Sequence, residues 1–239
     1  MTDAIRDPAK KNSWKMFDRI AKTYDLVNRL LSFGLDINWR KKVNLLLPQK
    51  SNLTVLDLAT GTGDQIIMLC NINSNISKGV GMDLSEGMLN VGREKVQNSD
   101  FSDTIHLQTG DAVNIPSKDA QYDAVTISFG IRNVPNVPKS MQEMHRILKT
   151  NGKALILEFS LPSNPIIRWG HLFYLRYILP LVGGLISGDF QAYRYLNTSI
   201  EAFPYGDDFC SMLHDAGFSS VTAHPVSFGI ATIYEAIKE

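Results

Sequence analysis

The sequence predicts an α/β fold in which helices cover a mostly parallel β-sheet of seven strands. In the middle of the chain, five short apolar runs alternate with segments of helical periodicity, a pattern typical of a parallel sheet with covering helices. Near the carboxyl end, two further strand-like runs follow each other after a short connection, as in a hairpin. We therefore expect one antiparallel strand in an otherwise parallel sheet.

The first half of this pattern is marked by turn and capping residues. The apolar run 53–58 is a strand, and a glycine turn after it opens a helix over 64–71. The second strand, 78–83, ends in an acid, and Ser85 is a suitable N-cap for a helix over 85–97. A third strand follows at 105–109.

The second half continues the alternation. After a fourth strand at 122–128, residues 138–149 form an amphipathic helix, and an Asn-Gly turn then leads into a fifth strand at 153–159. The apolar positions on one face of that helix are Met141, Met144, Ile147 and Leu148. The chain ends with a helix over 206–216 and the strands 219–224 and 228–237.

We expect a single domain over residues 1–239, with two additions to the alternating frame. The predicted parts are a helical N-terminal lid (1–50), a cofactor-binding core (51–160), an apolar helical insertion (161–205), and the final helix and strand hairpin (206–239). The insertion is either a pair of core helices or a flap that covers an apolar substrate or contacts a membrane surface. Its longest uncharged, histidine-free stretch, 177–188, is too short to span a bilayer.

The charge is balanced overall but divided unequally along the chain. The 24 basic and 24 acidic residues cancel, which argues against a nucleic-acid partner because neutralising many phosphates needs a basic excess. Residues 1–50 carry eleven basic and five acidic side chains, hence +6, and the remainder carries −6. A basic amphipathic lid beside an apolar insertion suits transient contact with anionic lipid, although a solvated basic face explains it equally well.

Cysteine and histidine placement predicts a protein without a metal. Cys70 and Cys210 are the only cysteines, they lie far apart, and no histidine has the spacing of a metal ligand. Two unpaired cysteines suit a reducing compartment, and the first fifteen residues show no secretory pattern. We therefore expect a cytoplasmic protein, peripheral on the membrane if the lid contacts lipid.

The most informative motif is the glycine turn after the first strand. Gly61 and Gly63 lack a Cβ, so the backbone can turn sharply and approach a ligand closely. Asp57 ends the strand before the turn, and Asp83 follows Gly63 by 20 residues at the end of the second strand. A carboxylate at that position can accept hydrogen bonds from both ribose hydroxyls of a nucleoside cofactor.

This turn favours S-adenosylmethionine over a dinucleotide. In the dinucleotide fingerprint GxGxxG the last position is glycine, but here it is Ile66, and Asp64 would lie beside a pyrophosphate. The ammonium and sulfonium groups of S-adenosylmethionine instead suit nearby carboxylates such as Asp57 and Asp64. After the third strand, Asp111 can accept from the adenine amine, and Ser128 ends the fourth strand, where α/β sheets bind ligands.

Beyond this turn, the sequence resembles the ubiquinone/menaquinone biosynthesis C-methyltransferase family over nearly its whole length. The third of four matching blocks, Thr126–Val134, is the most specific. The blocks are 17–21 with 24–26, 31–35 and 39–40; 55–64; 126–134; and 187–189 with 193, 195–196, 199–200 and 203–204.

The resemblance implies a class I S-adenosylmethionine-dependent methyltransferase fold, which is Rossmann-like. It also implies contacts with the methyl donor from particular residues of this chain. These residues are Thr62, Asp83, Asp111, Ala112 and Ser128. The chain departs from the family pattern at Thr60, where glycine is usual, at Thr150-Asn151, where Pro-Gly is usual, and over 228–237.

The family reaction transfers a methyl group to a ring carbon of a prenylated quinol. Loss of a proton from the adjacent hydroxyl puts negative charge on that carbon, so the enzyme must generate or stabilise a quinolate. We expect Arg132 to stabilise the quinolate and Asn133 to orient a ring oxygen, with Tyr24 and Asp25 as further candidates. Arginine is a weak candidate for the base because its guanidinium stays protonated, and an ion pair is the alternative role of Arg132.

Several alternatives stay open at this point. The acceptor is demethylmenaquinol or, alternatively, 2-polyprenyl-6-methoxy-1,4-benzoquinol, or both. A nucleic-acid base methyltransferase is disfavoured because the turn after the fourth strand is Ser-Phe-Gly-Ile-Arg-Asn. A non-catalytic assembly subunit is disfavoured by the nearly intact donor turn. The oligomeric state, a homodimer included, is not indicated by the sequence.

Overall fold

The structure, a computed structural model, describes residue 10 and residues 12–239. The beginning of the predicted lid, with the basic side chains Arg6 and Lys11, lies outside the described residues. Seven strands form one sheet in the order β3-β2-β1-β4-β5-β7-β6. They are β1 Leu53–Leu58, β2 Ile76–Asp83, β3 Ile105–Thr109, β4 Tyr122–Ser128, β5 Leu148–Phe159, β6 Ser220–Val226 and β7 Ala231–Ile237.

The strand directions confirm the predicted sheet. Neighbouring strands from β3 to β5 are parallel, and β7 alone runs antiparallel to both of its neighbours, β5 and β6. The chain passes from β1 outward to β2 and β3, and then returns to place β4 on the other side of β1. This reversal opens a crevice at the carboxyl ends of β1 and β4, where doubly wound sheets bind their ligands.

Helices cover both faces of the sheet and extend beyond its carboxyl edge. A 3₁₀ turn at Ile131–Asn133 follows β4, and a π-helical turn at Tyr174–Ile178 joins two helices of the insertion. The helices are α1 Ser13–Leu31, α2 Leu35–Leu45, α3 Asp64–Ile72, α4 Glu86–Gln97, α5 Val137–Ile147, α6 Pro165–Phe173, α7 Leu179–Ser187, α8 Phe190–Ala202 and α9 Asp207–Asp215.

Several boundaries differ from the sequence prediction. Strand β5 begins at Leu148 instead of 153, and β7 begins at Ala231 instead of 228 because Ser227–Gly229 forms a 3₁₀ turn. The helical region expected at 14–47 is divided into α1 and α2 because Phe33 and Gly34 adopt left-handed backbone angles, with φ of 52° and 73°. The predicted helix over 138–149 ends at Ile147, since Leu148 is extended and pairs with Tyr122 as the first residue of β5. Leu148 is buried in the core as the first residue of β5, so its apolar character did not distinguish helix from strand.

Three buried clusters hold the fold together. One lies between the sheet and α5 with α9, and a second lies on the opposite face under α2, α3 and α4. The third lies outside the sheet, where Ile20, Val27 and Leu31 of α1 pack against Leu179 and Ile200 of the insertion. The insertion therefore contributes one face to a core, and this core fixes the N-terminal helix over the carboxyl edge of the sheet.

The outer face of the insertion stays apolar and exposed. Large apolar side chains recur there at helical spacing and form a continuous stripe along α6, the π-helical turn and α7. They are Ile166, Trp169, Phe173, Tyr177, Leu181 and Leu185. The two alternatives for the insertion are thus not exclusive, because its inner face is core and its outer face is free to cover or contact something else.

Candidate functional site

A pocket lies at the carboxyl ends of β1, β2 and β4, and we call it the strand-end pocket. It has a wider hollow and a polar hollow, which adjoin because Tyr24, Ala59, Gly61 and Ser128 line both. The wider hollow is also lined by Asp83, Leu84, Met88, Asp111 and Ala112, among others. The polar hollow is also lined by Asp25, Asn28, Asp36, Arg40, Asp57, Thr60, Thr62 and Asp64.

The glycine turn forms the floor of this pocket. Gly61 has a φ of 56°, and its backbone N–H donates to Oδ2 of Asp83 at 2.8 Å. The other oxygen of Asp83 accepts from the backbone N–H of Ser85 at 2.8 Å. Gly63 has a φ of 79° and is the N-cap of α3, so it shapes the turn without lining either hollow. Burial raises the pKa of Asp83.

Asp57 lies beneath the polar hollow and is nearly inaccessible to solvent. Its two carboxylate oxygens accept hydrogen bonds from the hydroxyls of Thr60 and Thr126, each at 2.6 Å. Burial raises the pKa of Asp57 from 3.8 to about 6, because desolvation outweighs these two hydrogen bonds. Thr60, the departure from the family's glycine, therefore contributes directly to the environment of this carboxylate.

A network of charged side chains ties the N-terminal helix to the glycine turn. The hydroxyl of Thr62 donates to Asp25 of α1 at 2.6 Å, and Nζ of Lys95 lies 2.6 Å from both Asp25 and Asp64. Arg29 of α1 also pairs with Asp64, at 3.3 Å. Burial opposes ionisation of Asp64, but Lys95, Arg40 and Arg29 together outweigh burial and lower the pKa of Asp64.

This network corrects one expectation from the sequence. Asp64 was expected to present its charge to a cationic cofactor, but Lys95 and Arg29 already neutralise it. The predicted donor contact Thr62 likewise has its hydroxyl engaged with Asp25, although it lines the polar hollow. The reason is long-range: Arg29 of α1 and Lys95 of α4 reach Asp64 from parts of the chain that are distant in sequence.

The predicted residues of the third and fourth strands also lie in the pocket. Asp111 and Ala112 line the wider hollow, and Oδ1 of Asp111 accepts from the backbone N–H of Val113 at 3.0 Å. The hydroxyl of Ser128 donates to Oε1 of Gln65 at 3.0 Å. Gln65 is a buried residue of α3 that sequence reasoning missed, since it occupies an unremarkable helical position.

A second, larger hollow lies beside the strand-end pocket, and we call it the apolar cavity. Its volume is about 460 Å³, and its walls come from α1, α2 and the insertion. Most of its lining is aromatic or aliphatic, including Phe17, Ile20, Trp39, Phe159, Tyr174, Leu175 and Leu196. Such a space suits a hydrophobic ligand of substantial size.

The three predicted catalytic residues are brought together where the two spaces meet. Tyr24 lines the apolar cavity and both hollows of the strand-end pocket, and Asn133 lines the cavity and the wider hollow. Arg132 lines the cavity. Burial raises the pKa of Tyr24 although Arg132 and Arg40 oppose that rise. Oδ1 of Asn133 accepts from the hydroxyl of Tyr195 at 3.1 Å.

Arg132 forms a buried ion pair, which was its alternative role, with a partner that the sequence did not indicate. Its Nη1 lies 2.7 Å from Oε1 of Glu158 and donates to the carbonyl of Phe129, also at 2.7 Å. Its Nε is buried without a hydrogen-bond partner. Glu158 was missed, yet it sits near the end of an apolar strand, as Asp57 does, and that pattern could have identified it.

The basic face predicted for the lid is smaller than the sequence suggested. Lys22, Lys41 and Lys42 are exposed, but Arg29 is engaged in ion pairs and Arg40 is buried. Several of the supposed surface charges therefore belong to the pocket.

Nowhere in residues 10 and 12–239 do three or more histidine, cysteine or acidic side chains gather in a way that could hold a metal ion. The expected independence from metal stays a prediction. Within the same residues, no helix combines the length and the apolar character that crossing a bilayer requires.

The raised pKa of Asp57 makes a prediction about stability. Because the folded state holds the proton more tightly, ionising Asp57 destabilises the fold progressively from about pH 4 to about pH 6, by up to ~3 kcal/mol. Asn at this position mimics the protonated acid. The unfolding free energy of Asp57→Asn, measured relative to wild type by urea denaturation, should therefore rise over this interval and level off above pH 7.

Asp123, at the other end of the sheet, provides the control. Burial opposes its ionisation, but Lys50, Thr54 and Lys149 outweigh that effect and lower its pKa. Asp123→Asn should therefore lose stability relative to wild type as the pH rises through the acid range, opposite in sign to Asp57→Asn. A pH-independent difference for Asp57→Asn would show that Asp57 ionises normally.

Comparison with known proteins identifies the family of this chain. The model of the ubiE/COQ5 methyltransferase family matches residues 6–238. The demethylmenaquinone methyltransferase of Bacteroides fragilis is 40% identical over 225 residues, which cover 94% of this chain and 91% of that protein. The ubiquinone/menaquinone biosynthesis C-methyltransferase UbiE of Geotalea uraniireducens is 41% identical, covering 92% of this chain and 93% of its own length.

Solved structures support the fold. A SAM-dependent methyltransferase from Thermotoga maritima superposes with a TM-score of 0.65 at 17% sequence identity, covering 95% of this chain and 99% of that one. That likeness confirms the predicted methyltransferase fold, and the family model confirms the resemblance seen in the sequence. The chain belongs to the ubiE/COQ5 methyltransferase family.

Proposed function

We propose that this protein transfers a methyl group from S-adenosylmethionine to a ring carbon of a prenylated quinol, converting demethylmenaquinol to menaquinol. One observation carries the proposal: a polar pocket at the sheet edge meets a large apolar cavity at Tyr24 and Asn133. A methyl transfer between a water-soluble donor and a lipid-like acceptor needs this juxtaposition. The names of the relatives support the quinone class of acceptor.

The residues of the strand-end pocket fit the methyl donor. Asp83 keeps acceptor capacity for vicinal ribose hydroxyls beyond the two backbone N–H groups that orient it. Leu84, Met88 and Ala112 offer apolar surface for an adenine ring, and Asp111 is a hydrogen-bond acceptor beside them. The polar hollow, with Asp57, would take the amino-acid end and its cationic groups.

The apolar cavity fits the acceptor. A quinol ring at its inner end would face Arg132, Asn133 and Tyr24, while an isoprenoid tail would follow the aromatic and aliphatic lining toward α6. Burial of the tail excludes water from the reacting carbon and holds it in line with the methyl group. The lining does not discriminate a naphthoquinol from a benzoquinol ring, so the benzoquinol acceptor is the second candidate.

The polar residues at the junction can stabilise the quinolate. Arginine is a poor proton acceptor, so Arg132, which pairs with Glu158, supplies positive charge and does not remove the proton. Its buried Nε has no hydrogen-bond partner and could donate a hydrogen bond to a quinolate oxygen. Tyr24, whose pKa is raised, keeps its proton at neutral pH and can donate a second hydrogen bond. Asn133 would orient a ring oxygen.

The acceptor is tested by a direct assay. The protein is incubated with S-adenosylmethionine and a short-tailed demethylmenaquinol or the corresponding methoxybenzoquinol, both kept reduced, and the products are identified by mass spectrometry. We expect a gain of one methyl group on the naphthoquinol ring carbon. Turnover of the benzoquinol alone would assign the second candidate, and methylation of neither ring would contradict the proposed function.

The hydroxyl of Tyr24 is tested by Tyr24→Phe. Removing a donor that stabilises developing charge costs ~10²–10³-fold in kcat when the site is preorganised. We expect a loss of this size, with little change in the affinity for the donor. Tyr174→Phe is the matched control. Tyr174 also lines the cavity, but its hydroxyl donates a hydrogen bond to the backbone carbonyl of Leu31 and is therefore not available to the quinol. Equal kcat values for Tyr24→Phe and wild type would exclude the role of Tyr24.

We further propose that the outer face of the insertion contacts the membrane that holds the acceptor. The stripe from Ile166 to Leu185 exposes large apolar side chains, with Ile166 79% and Trp169 72% exposed. Ile167 and Gly170, on the same helix, line the apolar cavity. Phe33, 80% exposed, also lines the cavity and lies beside Tyr174, so an apolar rim surrounds this part of the cavity.

Co-sedimentation with phosphatidylglycerol-containing vesicles tests this contact. We expect binding at low salt that the double variant Ile166→Ser/Trp169→Ser weakens at least tenfold, since burial of each large side chain stabilises by ~1.5–3 kcal/mol. Ile72→Ser removes an exposed apolar side chain elsewhere, on α3, and should leave binding unchanged. Absence of wild-type binding at low salt would end the membrane proposal without affecting the assay with short-tailed quinols.

A further inference from the structure

Arg40 is a buried cation that no part of the proposed chemistry uses. It lies on α2 with 9% of its surface exposed, and its guanidinium carbon is 5.5 Å from the centre of the Phe129 ring. Its Nε is buried without a hydrogen-bond partner, and Arg40 forms no ion pair with any residue that the structure describes. An unpaired guanidinium is costly to bury, so a buried arginine normally has an anionic partner.

The carboxylates that line the polar hollow do not form an ion pair with Arg40. The hollow is lined by four carboxylates, and within the described part of the chain each of them already has a protein partner. Asp25 is bound by Thr62 and Lys95, Asp36 by Ser32 and Arg29, Asp57 by Thr60 and Thr126, and Asp64 by Lys95 and Arg29. Arg40 is the single cationic side chain among the described residues that line this hollow.

The position of Arg40 is held by the same residues that form the pocket. Its backbone carbonyl accepts from the side-chain amide of Gln65 at 3.3 Å, and the amide oxygen of Gln65 accepts from Ser128. The neighbouring side chains Trp39 and Val43 are buried in the core. The helix that carries Arg40 is therefore fixed relative to the carboxyl end of β4, and its guanidinium is preorganised beside the hollow.

We propose that Arg40 binds the α-carboxylate of the methyl donor. This inference rests on the proposed donor pocket. The amino-acid end of S-adenosylmethionine carries an ammonium and a carboxylate; the ammonium suits a hollow lined by carboxylates, whereas the carboxylate needs a cationic partner there. Arg40 supplies the compensating charge, and its planar guanidinium matches a carboxylate with two parallel hydrogen bonds. Occupation of the hollow also removes the cost of an unpaired buried charge.

The test compares two ligands that differ in this carboxylate alone. S-adenosylhomocysteine and its decarboxylated analogue, S-adenosyl-3-thiopropylamine, are titrated into the protein by isothermal calorimetry. Wild type should bind S-adenosylhomocysteine at least tenfold more tightly. Arg40→Met should lose ~10–100-fold in affinity for S-adenosylhomocysteine, the range for a hydrogen bond to a charged group, and less than threefold for the analogue.

Controls separate this role from a structural one. Lys41→Met removes an exposed charge from the next residue and should leave both affinities unchanged. Arg40→Lys keeps the positive charge but cannot make two parallel hydrogen bonds, so its loss of affinity for S-adenosylhomocysteine should be intermediate. This variant also provides a measurement if Arg40→Met does not fold. Thermal unfolding of each variant without ligand verifies that it is folded.

Three results would overturn the inference. Equal wild-type affinities for the two ligands would show that the carboxylate is not recognised. An equal loss of affinity for both ligands in folded Arg40→Met would show that the role of Arg40 is structural. If Arg40→Met kept its affinity for S-adenosylhomocysteine but had a raised KM for the quinol, Arg40 would bind the acceptor instead. Failure of wild type to bind either ligand would instead contradict the donor pocket itself, and Arg40 would lose its proposed partner with it.

Discussion

The attachment of α1 to the glycine turn is the interaction on which the rest of the site depends. Asp25 accepts from Thr62 and pairs with Lys95, while Asp18 accepts from the hydroxyl of Ser85 and, at 2.9 Å, from the backbone N–H of Gly87 at the start of α4. A carboxylate at a helix N-terminus is favoured because the free N–H groups there carry partial positive charge. These contacts hold α1 across the carboxyl edge of the sheet.

This attachment gives the two spaces a common wall. Side chains of α1 line both the strand-end pocket and the apolar cavity, and Phe17, Tyr24 and Asn28 line the two spaces together. The insertion packs against the same helix, with Ile20, Val27 and Leu31 in the shared core. Displacing α1 would therefore disturb donor and acceptor binding together, which ties the two substrates of the proposed reaction to one structural element.

The sequence indicated the local features of the site but not their long-range partners. Asp57 and Asp83 were identified because an acid at the end of an apolar strand is a local pattern. The pairing of Arg29 with Asp64, and of Arg132 with Glu158, depends on how distant elements pack, which periodicity does not report. The same limitation applies to Arg40, which was counted with a surface stretch of basic residues and is buried beside the pocket.

The division of charge has a different meaning in the structure. The basic excess of residues 1–50 suggested a lipid-facing surface, but Arg29 and Arg40 serve the acidic strand-end pocket instead. Apolar area, and not charge, dominates the surface proposed to meet the membrane. The exposed basic residues on α1 and α2 are Lys15, Arg19, Lys22, Lys41 and Lys42, of which Arg19 pairs with Asp189. The functional roles of the site residues and the division of the domain stay predictions.

The central claim, that donor and acceptor meet beneath α1, is tested most directly by a crystal structure of the protein with S-adenosylhomocysteine and a short-tailed demethylmenaquinol. The account predicts the nucleoside against Asp83 and Asp111, and the quinol ring in the apolar cavity beside Arg132 and Asn133. The sulfur should point at the ring carbon through the gap that Tyr24 borders. A ring bound elsewhere, or separated from the sulfur by protein, would contradict it.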